Sequence, residues 1–147
     1  MGGPARADAT CNTLAAAAGL TGTYLAWLSD GTNSPDTRFN KSTVPYIRAL
    51  DSAIIATNYA DLTDGLIANT IVLDENGRNV GFGRVWTHVQ NDGKSSTEVA
   101  TGHCNGWTSA SSALTAVRGQ ADIAGLWTLQ NFVPFSSPLH HIYCFEQ

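Results

Sequence analysis

Residues 22–29 read Gly22-Thr23-Tyr24-Leu25-Ala26-Trp27-Leu28-Ser29, a run of β-branched and aromatic side chains between turn formers, which is the composition of a well-buried strand. Immediately upstream, Arg6 to Ala18 is rich in alanine, has no interior Gly or Pro, and stops at Gly19. That predicts a helix closed by a glycine, with Cys11 and Leu14 on one face. The rest of the chain has to be placed around a helix that leads directly into a central strand.

Downstream, turn formers occupy nearly every position from Asp30 to Ser42, so a long surface loop is expected, with only Phe39 requiring burial. Val44-Pro45-Tyr46-Ile47-Arg48 reads as a short edge strand, where Pro is tolerated, and Asn58 to Leu62 as a short helix ending near Gly65. Thr70 to Leu73 reads as a strand followed by the turn Asp74-Glu75-Asn76-Gly77. Further strands are expected at Arg84–Thr87, Gly106–Thr108, Leu126–Thr128 and His141–Phe145. Trp-Thr recurs at 86, 107 and 127, but the flanking residues differ, so three separate strand starts with a buried aromatic are preferred to a true repeat. Helices near the front followed by short antiparallel strands with long loops indicate α+β, and 147 residues suit a single domain over positions 1–147.

Composition narrows the partners. Charged residues make up only 14% of the chain, and 16 Thr, 11 Ser and 10 Asn supply a polar, mostly uncharged surface. Eight basic against twelve acidic residues leave a net charge of −4. The basic ones (Arg6, Arg38, Lys41, Arg48, Arg78, Arg84, Lys94, Arg118) are scattered singly. Nucleic acid and anionic membranes call for clustered cations, so neither is an expected partner. No apolar run approaches 18 residues, so no membrane insertion is expected. Met1-Gly2-Gly3-Pro4 carries no basic and apolar leader, which fits a cytosolic chain or one whose signal has been removed. The cysteines Cys11, Cys104 and Cys144 have no zinc-finger spacing; three pairings are open to them, with at least one thiol left over.

An ordered set of segments carries a resemblance. Ala7-Asp8-Ala9-Thr10-Cys11 followed by residues 17–29 resembles the opening of endostatin, the C-terminal domain of certain collagens. The likeness continues through Val44-Pro45-Tyr46-Ile47, Val85-Trp86 with Asn91-Asp92-Gly93-Lys94, Cys104-Asn105-Gly106-Trp107, Gly119-Gln120-Ala121 and His140-His141-Ile142-Tyr143-Cys144. Bacterial endostatin-like surface proteins look closer still, through Trp27-Leu28-Ser29-Asp30 with Ser34-Pro35 and through Tyr59 to Gly65. The resemblance implies a C-type-lectin-like fold, with two helices flanking twisted, mainly antiparallel sheets and long loops. It also implies a secreted or cell-surface, non-catalytic adhesion role. In that family two nested disulfides join first to fourth and second to third cysteine. Here Cys11 and Cys144 fill the outer pair, Cys104 one inner position, and Leu139 the place of its partner, so the implied outer bridge leaves Cys104 a free thiol. The family's arginine surface and N-terminal histidines are missing, so neither heparin nor zinc binding carries over.

Each candidate site has a plain reading beside it. His103-Cys104 invites a thiolate–imidazole pair, but neighbours in a strand point to opposite faces, so an inert buried thiol is preferred. The same geometry assigns His140-His141 a structural or surface role, and with His88 and His103 they form no zinc spacing, so no metal is expected. Asp74 to Gly77 and Asn91-Asp92-Gly93 are oxygen-rich but lack calcium-loop alternation and read as turns. No nucleophile elbow, metalloprotease helix or phosphate loop is present, so neither an enzyme nor a cofactor is expected. Trp86, Trp107 and Trp127 read first as core. For recognition, the loop from Val89 to Asn105 is the candidate, with Gln90, Asn91, Asp92, Lys94, Glu98 and Asn105 as ligand contacts and Trp107 beside them as an aromatic anchor. The expected partner is an extracellular protein or glycan; the alternative is an assembly element, such as the tip of an oligomeric fibre, whose apolar face meets copies of itself.

Overall fold

The computed structural model describes residues 2–134 and 140–147, and in it a 14-residue helix α1 (Pro4–Ala17) leads into strand β1 (Tyr24–Ala26). Pro4 fits the first helical turn, where its missing N–H is not needed, and Ala18 to Leu20 turn the chain out. Two one-turn helices follow, α2 (Pro35–Arg38) and α3 (Tyr59–Leu62), together with strands β2 (Tyr46–Ile47), β3 (Ile54–Ala56), β4 (Arg84–Trp86), β5 (Thr115–Gln120), β6 (Asn131–Pro134) and β7 (Cys144–Glu146). They form three small antiparallel sheets, β1–β7, β2–β3 and β4–β5–β6. The architecture is α+β, as the sequence indicates.

The chain's two ends meet. β1 pairs with β7 in the register Tyr24↔Glu146, Leu25↔Phe145, Ala26↔Cys144, and Cys11 of α1 is disulfide-bonded to Cys144 with a Cα–Cα distance of 5.5 Å. The other edge of β1 is closed by helix side chains one turn apart. Asn12 accepts from the Tyr24 amide and donates to its carbonyl, at 2.9 and 2.8 Å, while Asp8 accepts from the Ala26 amide at 2.8 Å. Asp8 also binds Arg38 of α2 at 2.6 Å, and Arg38 reaches the Ala26 and Leu28 carbonyls. Odd positions of the strand region bond to the residues flanking β7 (the Thr23 carbonyl accepts from the Gln147 amide, and the Trp27 amide donates to the Tyr143 carbonyl) and even ones to α1 and α2, as strand geometry requires.

Period-2 alternation divides the core. Leu25 and Trp27 enter one cluster with Phe39, Ile55, Leu62, Val85, Trp127 and Phe145; Tyr24, Ala26 and Leu28 enter a second with Cys11, Trp86, Cys104 and Trp107. Trp27 is central to the first, with ring centroids 4.8 Å from Trp127 and 5.5 Å from Phe145. Gly119 on β5 lets the backbone pass beneath this layer, since a Cβ there would run into the Trp127 carbonyl.

Several sequence expectations need correction. The loop expected from Asp30 to Ser42 contains α2, started by Ser34 in a reciprocal capping box with Thr37 and by Pro35 at the first position. Thr70–Leu73 makes no strand; its apolar residues are half-buried and Leu73 forms a single bridge with Asn79. Leu126–Thr128 is not a strand either, because its polar groups bond across the core instead of along a ladder, with the Thr128 carbonyl accepting from Thr87 at 2.6 Å. Gly106–Thr108 lies in a turn. The two flanking helices reduce, among the described residues, to α1 and isolated single turns, α2 being ended by the extended Phe39. Leu139, set against the missing inner cysteine, lies outside the described residues.

Candidate functional site

The segment from Val89 to Asn105 is fastened at both ends. Val89 bridges Ser95, the Gln90 and Gly93 amides close a tight turn over residues 90–94, and the Gly93 carbonyl accepts from Asp36 of α2 at 2.9 Å. Gly93 has φ +80°, and a Cβ there would lie 2.6 Å from the Tyr59 hydroxyl, so only glycine seats this turn against α3. Ser95 and Ser29 hydroxyls pair at 2.7 Å, tying the loop to the end of the β1 region. The far end is held by the Val117 amide on Gly102 and a bridge between His103 and Ala116 of β5.

Beneath the loop lies His88, fully buried and itself in the left-handed region at φ 52°. Its Nε2 faces the Val99 carbonyl at 3.1 Å; a carbonyl only accepts, so the proton sits on Nε2. Nδ1 is then a buried acceptor with no hydrogen-bond partner among the described residues. Burial holds the imidazole below its ordinary pKa, and His103, edge-on with centroids 5.0 Å away, pushes the same way.

At the loop's exit, Cys104, Asn105, Gly106 and Trp107 wind one left-handed turn, with φ of 48°, 54°, 64° and 64°. L-residues pay about 1–2 kcal/mol each for that conformation, and Asn and Gly tolerate it best. The turn is secured by the Gly106 amide on His103 Nδ1 at 2.7 Å and the Trp107 amide on the His103 carbonyl at 2.6 Å. His103 spends Nδ1 on this cap, and among the described residues neither of its ring nitrogens is hydrogen-bonded to Cys104. The buried Cys104 thiol donates to the Thr115 carbonyl at 3.4 Å, and burial pushes its pKa up to about 11.

The structure therefore sorts the proposed contacts. Asn91, Asp92, Lys94, Glu98 and Asn105 are exposed. Gln90 is half-buried and donates to Thr97. Asp92 and Lys94 pair with each other at 3.2 Å and brace their own turn. Trp107 has to be withdrawn as an exposed anchor: it is fully buried in the second core cluster and donates from Nε1 to the Ser29 carbonyl at 2.7 Å, because the left-handed turn swings its ring inward. Trp127 is fully buried as well, and Trp86 is buried and stacked on His140 at 3.7 Å. Among the described residues no three His, Cys, Asp or Glu side chains converge as metal ligands, and no helix is long and apolar enough to cross a membrane.

A second concave feature was not visible in the sequence. A groove of about 960 Å³ runs between α1, β2 and β7, with Leu14, Leu20, Tyr46, Ile47, Leu50 and Ile71 among its walls. Beside it the cross-strand pair Ile47 and Ile54 is exposed, with Val44 and Leu50. The only sequence signal was the apolar density of residues 44–55, which periodicity alone could not divide into buried and exposed. No known family's sequence model matches the chain, and no curated protein matches it.

Proposed function

We propose that the chain is a non-catalytic extracellular binding module, with an endostatin-like variant of the C-type-lectin-like fold, that recognises a protein or glycan through the loop from residue 89 to 105. The observation that carries this reading is the loop's construction: exposed Asn91, Glu98 and Asn105 project from a backbone pinned to α2, β5 and the end of the β1 region. A pre-organised loop loses little entropy on binding, which is what a recognition surface needs. The disulfide between Cys11 and Cys144 supports an oxidising compartment, such as a secreted or bacterial surface location. Immobilised matrix and plasma glycoproteins and a glycan array test it. The wild-type chain should bind saturably, and the charge reversals Lys94→Glu and Glu98→Lys should abolish binding without unfolding the protein. A chain that stays blank at high concentration overturns the reading.

The exposed Ile47–Ile54 pair beside the groove favours a second reading, self-assembly as in a fibre tip. Light scattering separates the two: a stable dimer or trimer broken by Ile47→Asp supports assembly, and a monomer removes it.

A further inference from the structure

We infer that Arg84 and Arg118, side by side on the β4–β5–β6 sheet, form a receptor for a carboxylate carried by an acidic segment of a protein partner. The inference rests on the binding-module reading and deepens it by naming a ligand chemistry at a place other than the loop.

The argument starts from where the cations go. Of the eight basic residues, five sit in ion pairs: Arg38–Asp8, Lys41–Asp36, Arg48–Asp51, Arg78–Asp74 and Lys94–Asp92. Arg6 is exposed on α1. The remaining two are neighbours. Register places Arg84 opposite Gln120 and Trp86 opposite Arg118, so the two arginines lie on one face of the sheet as diagonal cross-strand neighbours, within reach of one another. Neither has a carboxylate in ion-pair range among the described residues, and the undescribed positions carry no Asp or Glu.

Arg118 is only 8% exposed, and its one side-chain hydrogen bond among the described residues runs from Nε to Asn131 at 2.7 Å. A buried guanidinium is expensive without an anion, and here a second positive charge stands beside it. Burial and Arg84 both weaken Arg118's hold on its proton, the opposite of what a partnering carboxylate does. A chain with twelve acidic residues that leaves this pair uncompensated has kept the place for an external anion.

Two features select the anion. Gln120 and Asn131 share the face, and the Gln130 amide donates to Gln120 while its own Oε1 is buried without a partner among the described residues. That Oε1 is enclosed, so the ligand is selected by the donors at the rim, the two guanidinium groups beside exposed Asn131, and these match the carboxylate of an acidic peptide. On this face Arg84 and Asn131 are exposed while Arg118 and Trp86 are buried, so the site is the exposed rim of a partly covered sheet face, where an arginine is a common anchor for a protein partner.

The probe is an acetylated, amidated peptide of alternating Gly and Glu, titrated into the full chain while the arginine Nε–Hε resonances are followed by NMR. Saturable shifts of Arg84 and Arg118 are expected, with the Gly/Gln counterpart at least about tenfold weaker. Arg84→Gln, at an exposed position, should weaken binding about tenfold, and Arg118→Lys comparably although it keeps the charge, because the planar fork is lost. Unmoved resonances, equal binding of the Gln peptide, equal shifts with acetate, or tighter binding of a heparin fragment at the same resonances would each overturn the inference. If the peptide leaves both resonances still while Lys94→Glu and Glu98→Lys abolish glycoprotein binding, the arginine receptor fails and the loop reading stands; if both experiments are blank, both fall.

Discussion

Removing the bond between Cys11 and Cys144 tests whether the clasp acts mainly on the unfolded chain. The two residues are 133 apart in sequence, so the crosslink forbids most of the end-to-end excursions of the unfolded state, and chain entropy assigns it about 5 kcal/mol. In the native state the same ends are held independently by the β1–β7 ladder, by Asn12 and Asp8 on β1, and by Arg38 across to α2. The fold should therefore survive the loss with its contacts in place and unfold much more readily. With a urea slope of about 2 kcal/mol per molar, the midpoint should fall by about 2.5 M. The assay is urea unfolding of the wild type and of a Cys11→Ala, Cys144→Ala double variant, read by the fluorescence of the buried Trp27, Trp86, Trp107 and Trp127. Near-ultraviolet circular dichroism without urea checks that the fold is retained. A midpoint drop below about 0.5 M would refute the reasoning, since it would mean that the unfolded ensemble already keeps its ends together. So would mass spectrometry showing three free thiols in the native oxidised protein.

Other consequences are separately measurable. Asn12→Ala leaves the half-buried Tyr24 amide and carbonyl without their partner and should cost about 2 kcal/mol in chemical denaturation, whereas Thr13→Ala on the exposed side of the same helix should change little. Gly119→Ala forces a Cβ into the Trp127 carbonyl between packed backbones and should cost more than about 4 kcal/mol or prevent folding, seen as loss of soluble expression or of a cooperative melt. Burial holds His88 below its ordinary value near 6.5, so the unfolded chain takes up that proton first as the pH falls. Its contribution is complete above about pH 6.5, declines below it, and levels off beneath the folded value; unfolding free energy measured from about pH 7 to 5 should fall, and less steeply in His88→Gln. Cys104, with its thiol pushed up to about 11, should react slowly with an alkylating reagent at neutral pH in the native protein and quickly in urea, by mass spectrometry.

What the sequence reveals here is what neighbours in the chain decide. α1 and β1 are legible because helix propensity, a glycine stop and a β-branched aromatic run act locally, and the α3 turn is legible because Asn58 caps it by accepting from the Asp61 amide at 3.0 Å. The left-handed turn misleads because Gly106-Trp107-Thr108 has strand composition; only Asn105-Gly106, the pair that best tolerates positive φ, pointed the other way. The burial of Trp107 agrees with its first reading as core, and it is the second reading, as an aromatic anchor for a ligand, that the inward-turned ring removes. Thr70 to Leu73 misleads for the opposite reason: Ile71 and Val72 pack against the core, but neighbouring chain offers the Val72 carbonyl a single amide, from Val80, and no ladder. The uncompensated arginines are invisible in a linear reading, since scattered cations become a pair only once β4 and β5 fix their register.

The stitch along β1 lies between these cases and explains how so small a sheet persists. A three-residue strand with one paired edge would expose the backbone groups of Tyr24 and Ala26 to competing water or to another strand. Asp8 and Asn12 are four apart, hence on one face of α1, and they present carboxylate and amide groups to those positions in strand-like fashion. Polar residues at that spacing normally read as a solvated helix face. Here the face is turned inward beside the buried Ala7 and Cys11, so the helix serves as the missing strand, and its disulfide joins the same element to the strand on the other side of β1. Helix, first strand and last strand are thereby one mechanical unit. Arg38, donating from Nη2 to both Asp8 carboxylate oxygens, extends it to α2, whose Asp36 amide holds the Gly93 carbonyl, so the rigidity assigned to the recognition loop traces back, bond by bond, to the chain's two ends.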